Sequence, residues 1–230
     1  MKILFISLGC DKNLADSEEM LGLLTGNGHE IVDSEEEADA IVINTCCFIH
    51  DAKEESVNTI LEMAEYKKTG TCKILIVTGC MAQRYKEEIT EEIPEVDAVL
   101  GTTSYGDIVK ALNEAEAGHV FQEFKDINAL PEDSGRRVIT TGGHFGYLKI
   151  AEGCDKHCTY CIIPSLRGKF RSVPEERLLK QAEYMASQGV RELILVAQET
   201  TVYGTDLYGK KTLHILLKKL CQIKGIRWIR

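Results

Sequence analysis

The chain has 230 residues, 44% of them hydrophobic and 27% charged, which is the make-up of a folded globular protein of one or two domains. Nine cysteines without regular spacing argue against a secreted disulfide scaffold and for metal ligation in a reducing cytosol, so a cytoplasmic location is expected. The net charge of −9 conceals a split: residues 1–135 carry 10 Lys/Arg against 28 Asp/Glu, and residues 136–230 carry 17 against 8. Such asymmetry supports two domains and makes the second half the better face for an anionic partner.

Met1-Lys2, the apolar stretch Ile3–Leu8 and Cys10 superficially resemble a lipoprotein signal. The stretch is short and Asp11-Lys12-Asn13 runs into a helical pattern, so a first β-strand over residues 2–8 is expected instead. No segment approaches the apolar length of a membrane span, and no membrane partner is expected. Leu14 to Leu24 reads as an amphipathic helix, with Leu14, Ser17, Met20, Leu21 and Leu24 at helical spacing, closed by Gly26-Asn27-Gly28. A short strand over residues 30–33 and a buried one over 38–45 follow. A helix from about Ala52 to Lys67, a strand over 73–78, a helix over 85–93, a strand over 98–100 and a helix over 105–116 complete an alternating series. This alternation predicts an α/β fold, an open parallel sheet with helices on both faces. Residues 1–116 are expected to form this first domain and 117–135 a linker.

Beyond the linker, strands are expected over 136–141 and 147–151. A helix over 175–187, a strand over 192–197, a helix over 213–223 and a strand onset at 226–229 follow. Pro164, Gly168 and Pro174 should keep the residues between out of regular structure. Residues 136–230 thus predict the first part of a partial (β/α) barrel. Too few strands are present to close it, so a fragment or a second molecule supplying the rest is expected. Unpaired strand edges and apolar faces would make this half the protease-sensitive one.

Two cysteine sets stand out. Cys10, Cys46 and Cys80 each lie within two residues of the end of a predicted strand, and strand C-termini form the binding edge of an open parallel sheet. Three thiols 36 and 34 positions apart can therefore converge. Any one of them alone is equally a buried free cysteine; Cys47, Cys72 and Cys221 lack the placement and read as structural, although Cys47 could stand in for its neighbour Cys46. The second set is Gly153-Cys154-Asp155-Lys156-His157-Cys158-Thr159-Tyr160-Cys161, a C-x-x-x-C-x-x-C loop after a strand. It offers three thiolates, one fewer than fully ligate an ordinary 4Fe-4S cluster, which leaves an iron open to a small molecule. Zinc, with His157 as fourth ligand, satisfies the same spacing.

The C-x-x-x-C-x-aromatic-C loop resembles that of radical S-adenosylmethionine (SAM) enzymes. Together with Ser7-Leu8-Gly9-Cys10-Asp11-Lys12-Asn13, Asn44-Thr45-Cys46, Thr78-Gly79-Cys80, Ile162-Ile163-Pro164-Ser165-Leu166-Arg167-Gly168 and Leu195-Val196-Ala197-Gln198, the chain resembles the methylthiotransferases. The start and the Pro164–Gly168 segment are closest to the RimO type rather than to the relatives that modify adenosine in tRNA. Asp11 stands where proline is common in that type, and the family's complete barrel and C-terminal substrate-binding domain are not present in full.

The resemblance implies methylthio transfer to the β-carbon of an aspartate in a small-subunit ribosomal protein. It implies two 4Fe-4S clusters, one on Cys154, Cys158 and Cys161 that binds SAM and one on Cys10, Cys46 and Cys80 that holds the sulfur to be donated. It also implies that Tyr160 packs near the SAM adenine, a position that a core tyrosine would fit equally. An electron donor such as flavodoxin or ferredoxin is implied as well. Arg167, Lys169 and Arg171 read either as a solvated loop or as a basic strip for the ribosomal substrate or neighbouring rRNA phosphates.

Overall fold

Residues 1–230 are described by a computed structural model, and the chain divides into two units, Met1–Arg137 and Val138–Arg230. The first unit runs β1 (Lys2–Ser7), α1 (Asp11–Gly26), β2 (Glu30–Val32), β3 (Ala40–Thr45), α2 (His50–Thr69), β4 (Ile74–Gly79), α3 (Cys80–Arg84), α4 (Lys86–Glu92), β5 (Ala98–Leu100), α5 (Ile108–Glu116) and β6 (Phe121–Glu123). All six strands are parallel, in the order β2-β1-β3-β4-β5-β6. Ile-Val-Ile in β3 and Ile-Leu-Ile-Val in β4 are continuous β-branched or aliphatic runs, the pattern of strands covered on both faces. Alternation then sorts them. Ile3, Ala40, Val42 and Ile76 pack with Met20 and Leu24 of α1 and Ile108 and Leu112 of α5. Ile41, Ile43, Leu75 and Val77 point to the opposite face, where α2 lies against β3 and β4 with Ile60, Met63 and Ala64 buried.

The chain moves outward from β1 to β2 and then returns to place β3 on the other side of β1. The gap between the C-terminal ends of β1 and β3 is therefore a topological switch point, where open α/β sheets bind their ligands.

Three expectations change here. The expected linker contains β6, which pairs with β5 through Ala98↔Phe121 to Leu100↔Glu123. Its Phe-Gln-Glu sequence is mostly polar, unlike the equally short Ala-Val-Leu of β5, so no apolar run marks it in advance. The helix expected over 85–93 is preceded by a separate short helix, α3, that begins at Cys80 itself. No strand forms over 136–141. The buried Arg137 guanidinium is instead committed to Glu18 of α1, 2.6 Å away, so Arg136 and Arg137 run along α1 at the end of the first unit.

The second unit runs β7 (Phe145–Lys149), β8 (Ala151–Glu152), α6 (Ile163–Arg167), β9 (Arg171–Ser172), α7 (Glu175–Ser187), β10 (Glu192–Val196), α8 (Thr205–Tyr208), α9 (Leu213–Leu220) and β11 (Trp228–Ile229). β7, β10 and β11 form a parallel sheet in the order β11-β10-β7, and β8 and β9 form a small antiparallel pair. Strand, helix, strand, helix, strand is the opening of a partial (β/α) barrel. The strand expected over 147–151 is interrupted at Ile150, whose N–H donates to Val196 O while its carbonyl accepts from Val173 N–H. Pro164 and Gly168 do not abolish regular structure. Pro164 sits in the first turn of α6, where its missing N–H costs nothing, and Gly168 ends that helix. No helix is long and apolar enough to cross a membrane.

Candidate functional site

In the first unit, the cysteines gather at the sheet edge that the switch point selects. Cys10 follows β1 and stands at the N-terminal cap of α1; Cys46 follows β3; Cys80 follows β4 and opens α3. Cys10 is exposed, whereas Cys46 and Cys80 are buried. Gly9, at φ +92°, permits this crowding, because a Cβ there would fall 2.7 Å from Cys46 Cβ and 2.9 Å from its Sγ.

Side chains of α1 and α2 fasten the three loops. Asn13 is fully buried and donates from Nδ2 to Leu8 O (3.1 Å) and Thr45 O (2.8 Å). Its Oδ1 lies 3.8 Å from Cys80 Sγ. Ser56 Oγ accepts from Cys46 N–H and donates to Cys46 O. Beneath them, buried Ser17 and Asn44 form a polar pair, with Asn44 Nδ2 donating to Ser17 Oγ and to Asn13 O and the exposed Ser7 hydroxyl 2.7 Å from Ser17 Oγ. Asn13 was readable only as part of a motif, and Ser56 carried no signal at all.

Cys47 behaves differently from Cys46. Its thiol is buried, donates to Cys80 O at 3.3 Å, and is pushed up to about 11, chiefly by burial. That is the chemistry of a neutral packing thiol. Cys72 is likewise buried and bonded to Ile74 O, while Cys221 is exposed.

In the second unit, Cys154, Cys158 and Cys161 share one loop between β8 and α6. Cys154 and Cys161 are half-buried and Cys158 is exposed. Cys154 N–H donates to Gly168 O, and Phe170 N–H to Asp155 Oδ1, so the loop is pinned along the segment that follows α6. Gly153, at φ +68°, lies against Lys169: a Cβ there would be 2.0 Å from Lys169 O. Lys156 Nζ reaches Glu199 beyond β10 at 2.6 Å, and this bond holds the Glu199 carboxyl down at about 2. Below the loop, Glu152 lies 2.6 Å from Lys149 Nζ and 3.5 Å from Arg167, all three buried.

Two readings of this region need correction. Tyr160 is 87% exposed, so it is not a core tyrosine. Arg167 is buried against Glu152 and does not belong to an exposed basic strip; Lys169 is exposed and Arg171 half-buried.

No group of three His, Cys, Asp or Glu side chains is gathered tightly enough to share a single metal ion. The donor sets nonetheless fit an iron–sulfur cluster, which spreads its ligands over several irons. Each set is three thiols, the donor type that holds iron–sulfur clusters. The Asn13 side chain adjoins Cys80 Sγ and reaches Thr45 O, the carbonyl that precedes Cys46.

Known proteins divide the chain in the same way. The model of "Uncharacterized protein family UPF0004" matches residues 2–101, and that of the "Radical SAM superfamily" matches residues 148–229. A protein of Lachnoclostridium phytofermentans named ribosomal protein uS12 methylthiotransferase RimO is 66% identical over 230 residues, all of this chain and 52% of the relative. One of the same name from Clostridioides difficile is 51% identical over the same coverage. The chain thus spans about half the length of the curated relatives it matches. Among solved structures, the cobalamin-dependent SAM radical enzyme OxsB superposes with a TM-score of 0.56 at 16% identity, over 99% of this chain and 38% of that one. The radical SAM methyltransferase TsrM of Kitasatospora setae gives 0.58 at 11% identity, over 95% and 50%. These two likenesses concern the fold. High identity to proteins named ribosomal protein uS12 methylthiotransferase RimO thus runs through both units of the chain, the second of which matches the radical SAM superfamily.

Proposed function

We propose that this chain carries the cofactor-binding half of an enzyme that transfers a methylthio group to the β-carbon of an aspartate in ribosomal protein uS12. The observation that supports this most is the identity to proteins of that name through both cysteine-bearing units. Cys154, Cys158 and Cys161 would hold a 4Fe-4S cluster with one iron left to SAM, and Cys10, Cys46 and Cys80 a second cluster. Once bound, these groups supply reductive cleavage of SAM and a seat for the sulfur to be transferred.

The chain's own residues do the rest. Gly153 and the Cys154–Gly168 hydrogen bond set the position of the SAM-side loop. The Lys156–Glu199 pair ties that loop to the end of β10. Exposed Tyr160 stands free on the loop to lie against the adenine of SAM, as an aromatic face can. Exposed Lys169 would be the cation left to meet an anionic surface, either the ribosomal substrate or rRNA phosphates, since Arg171 donates to Arg167 O and Lys169 O. A flavodoxin or ferredoxin is the expected electron donor. The compartment proposed is the cytoplasm, where ribosomes are modified.

Mass spectrometry of uS12 and of bulk tRNA nucleosides, from cells with and without the full-length gene, tests the substrate. Loss of the methylthio group from uS12 is expected. Loss from tRNA alone would contradict the reading.

A further inference from the structure

We propose that Asn13 is the positioning residue of the first cysteine set: one carboxamide that ties the Cys10 loop to the Cys46 loop and lies beside Cys80. The proposal rests on the reading that Cys10, Cys46 and Cys80 bind a cluster, and assigns a role to a residue that is not itself a ligand.

The three loops come from three different strand–helix junctions. Nothing in the backbone ladder connects them beyond β1, β3 and β4, because each cysteine lies past the last paired residue or at its very edge. Asn13 makes that connection. It sits one turn into α1, three residues after Cys10, and its side chain turns back over the sheet edge. Nδ2 uses both of its hydrogens, one on Leu8 O in the Cys10 loop and one on Thr45 O, the carbonyl directly before Cys46. Oδ1 accepts from the Cys80 thiol at 3.8 Å, a contact of the metal-free thiol that marks how near Cys80 lies to the brace. The Asn13 backbone carbonyl is held in turn by Asn44 Nδ2 at 2.9 Å, so the brace is anchored to the polar pair below it.

Chemistry limits what could replace it. Aspartate has the same shape but presents oxygen to two carbonyl oxygens, which converts two hydrogen bonds into two repulsions. Alanine leaves both carbonyls without that donor, at 0% exposure for the site. Partners that orient ligands without touching the metal are commonly worth about 10- to 100-fold in metal affinity.

The test uses the full chain with Cys154, Cys158 and Cys161 all changed to Ala, so that only the first set can load. Anaerobic reconstitution with iron and sulfide is followed by challenge with a chelator. The parent is expected to keep its iron, and Asn13→Ala and Asn13→Asp to lose it about 10-fold faster or more. Equal retention in both variants and parent would overturn the proposal. A parent that takes up no iron overturns the cluster reading, and the proposal with it. A second measurement guards against simple misfolding: iodoacetamide labelling of metal-free native protein, mapped residue by residue. Asn13→Ala is expected to accelerate labelling at Cys46 and Cys80 and to leave the buried Cys72 slow. General loosening that exposes Cys72 to the same degree would show Asn13 to be only a core residue.

Discussion

Gly153 sets how closely the SAM-side cysteine loop can lie against the chain that returns past it. Any side chain at this position must displace the Lys169 carbonyl, and it must also adopt a left-handed conformation. Gly153→Ala is therefore expected to lower iron at Cys154, Cys158 and Cys161 while leaving the other set loaded, read by iron analysis in single-set backgrounds. The neighbours Cys46 and Cys47 give a sharper contrast. Cys46→Ala should remove one cluster's iron and sulfur transfer but keep SAM cleavage; Cys47→Ala should keep both clusters, since its thiol is occupied with Cys80 O. The reverse pattern would mean that the wrong neighbour has been assigned. These cysteines were legible in the sequence because apolar strands are easy to find and their ends mark the edge. Arg167 was not legible, because its burial depends on Glu152, fifteen positions away and on another element. Tyr160 was ambiguous because a motif names a residue type, not its exposure.

At the scale of elements, the long apolar runs β1, β3, β4 and β10 and the helix α7 could be read almost to the residue. The one-turn helices α3 and α8 have too few residues to show a period, and β6 lacks the apolar run that made the equally short β5 legible. The same holds for the end of the first unit. A strand was expected from Arg136, but the ion pair between Arg137 and Glu18, with side chains 6% and 0% exposed, captures the segment instead. A contact across 119 positions leaves no local trace. Removing one partner of a buried pair strands the other charge, so Arg137→Ala is expected to destabilise the first unit by about 3–5 kcal/mol. Replacing both partners by Met and Leu should recover much of that. Urea unfolding of the two variants checks it; a cost under about 1 kcal/mol for Arg137→Ala would place the pair among weak surface bridges.

At the scale of the whole chain, two units each present three cysteines at the C-terminal side of a parallel sheet, and their charges differ in sign. In the acidic first unit the cysteines lie at the switch-point edge of its sheet, and in the second in the loop between β8 and α6. Both placements follow from one rule about where parallel sheets bind ligands, applied to two unrelated strand orders. The central claim is that these are two independent cluster sites. It is tested most directly by iron and sulfide analysis with electron paramagnetic resonance on three proteins reconstituted anaerobically: the unaltered chain, the Cys10/Cys46/Cys80→Ala variant and the Cys154/Cys158/Cys161→Ala variant. The account predicts two 4Fe-4S clusters in the first protein and one in each variant, with distinct spectra that add up to the first. Stoichiometric zinc, or one variant that keeps both clusters or neither, would contradict it.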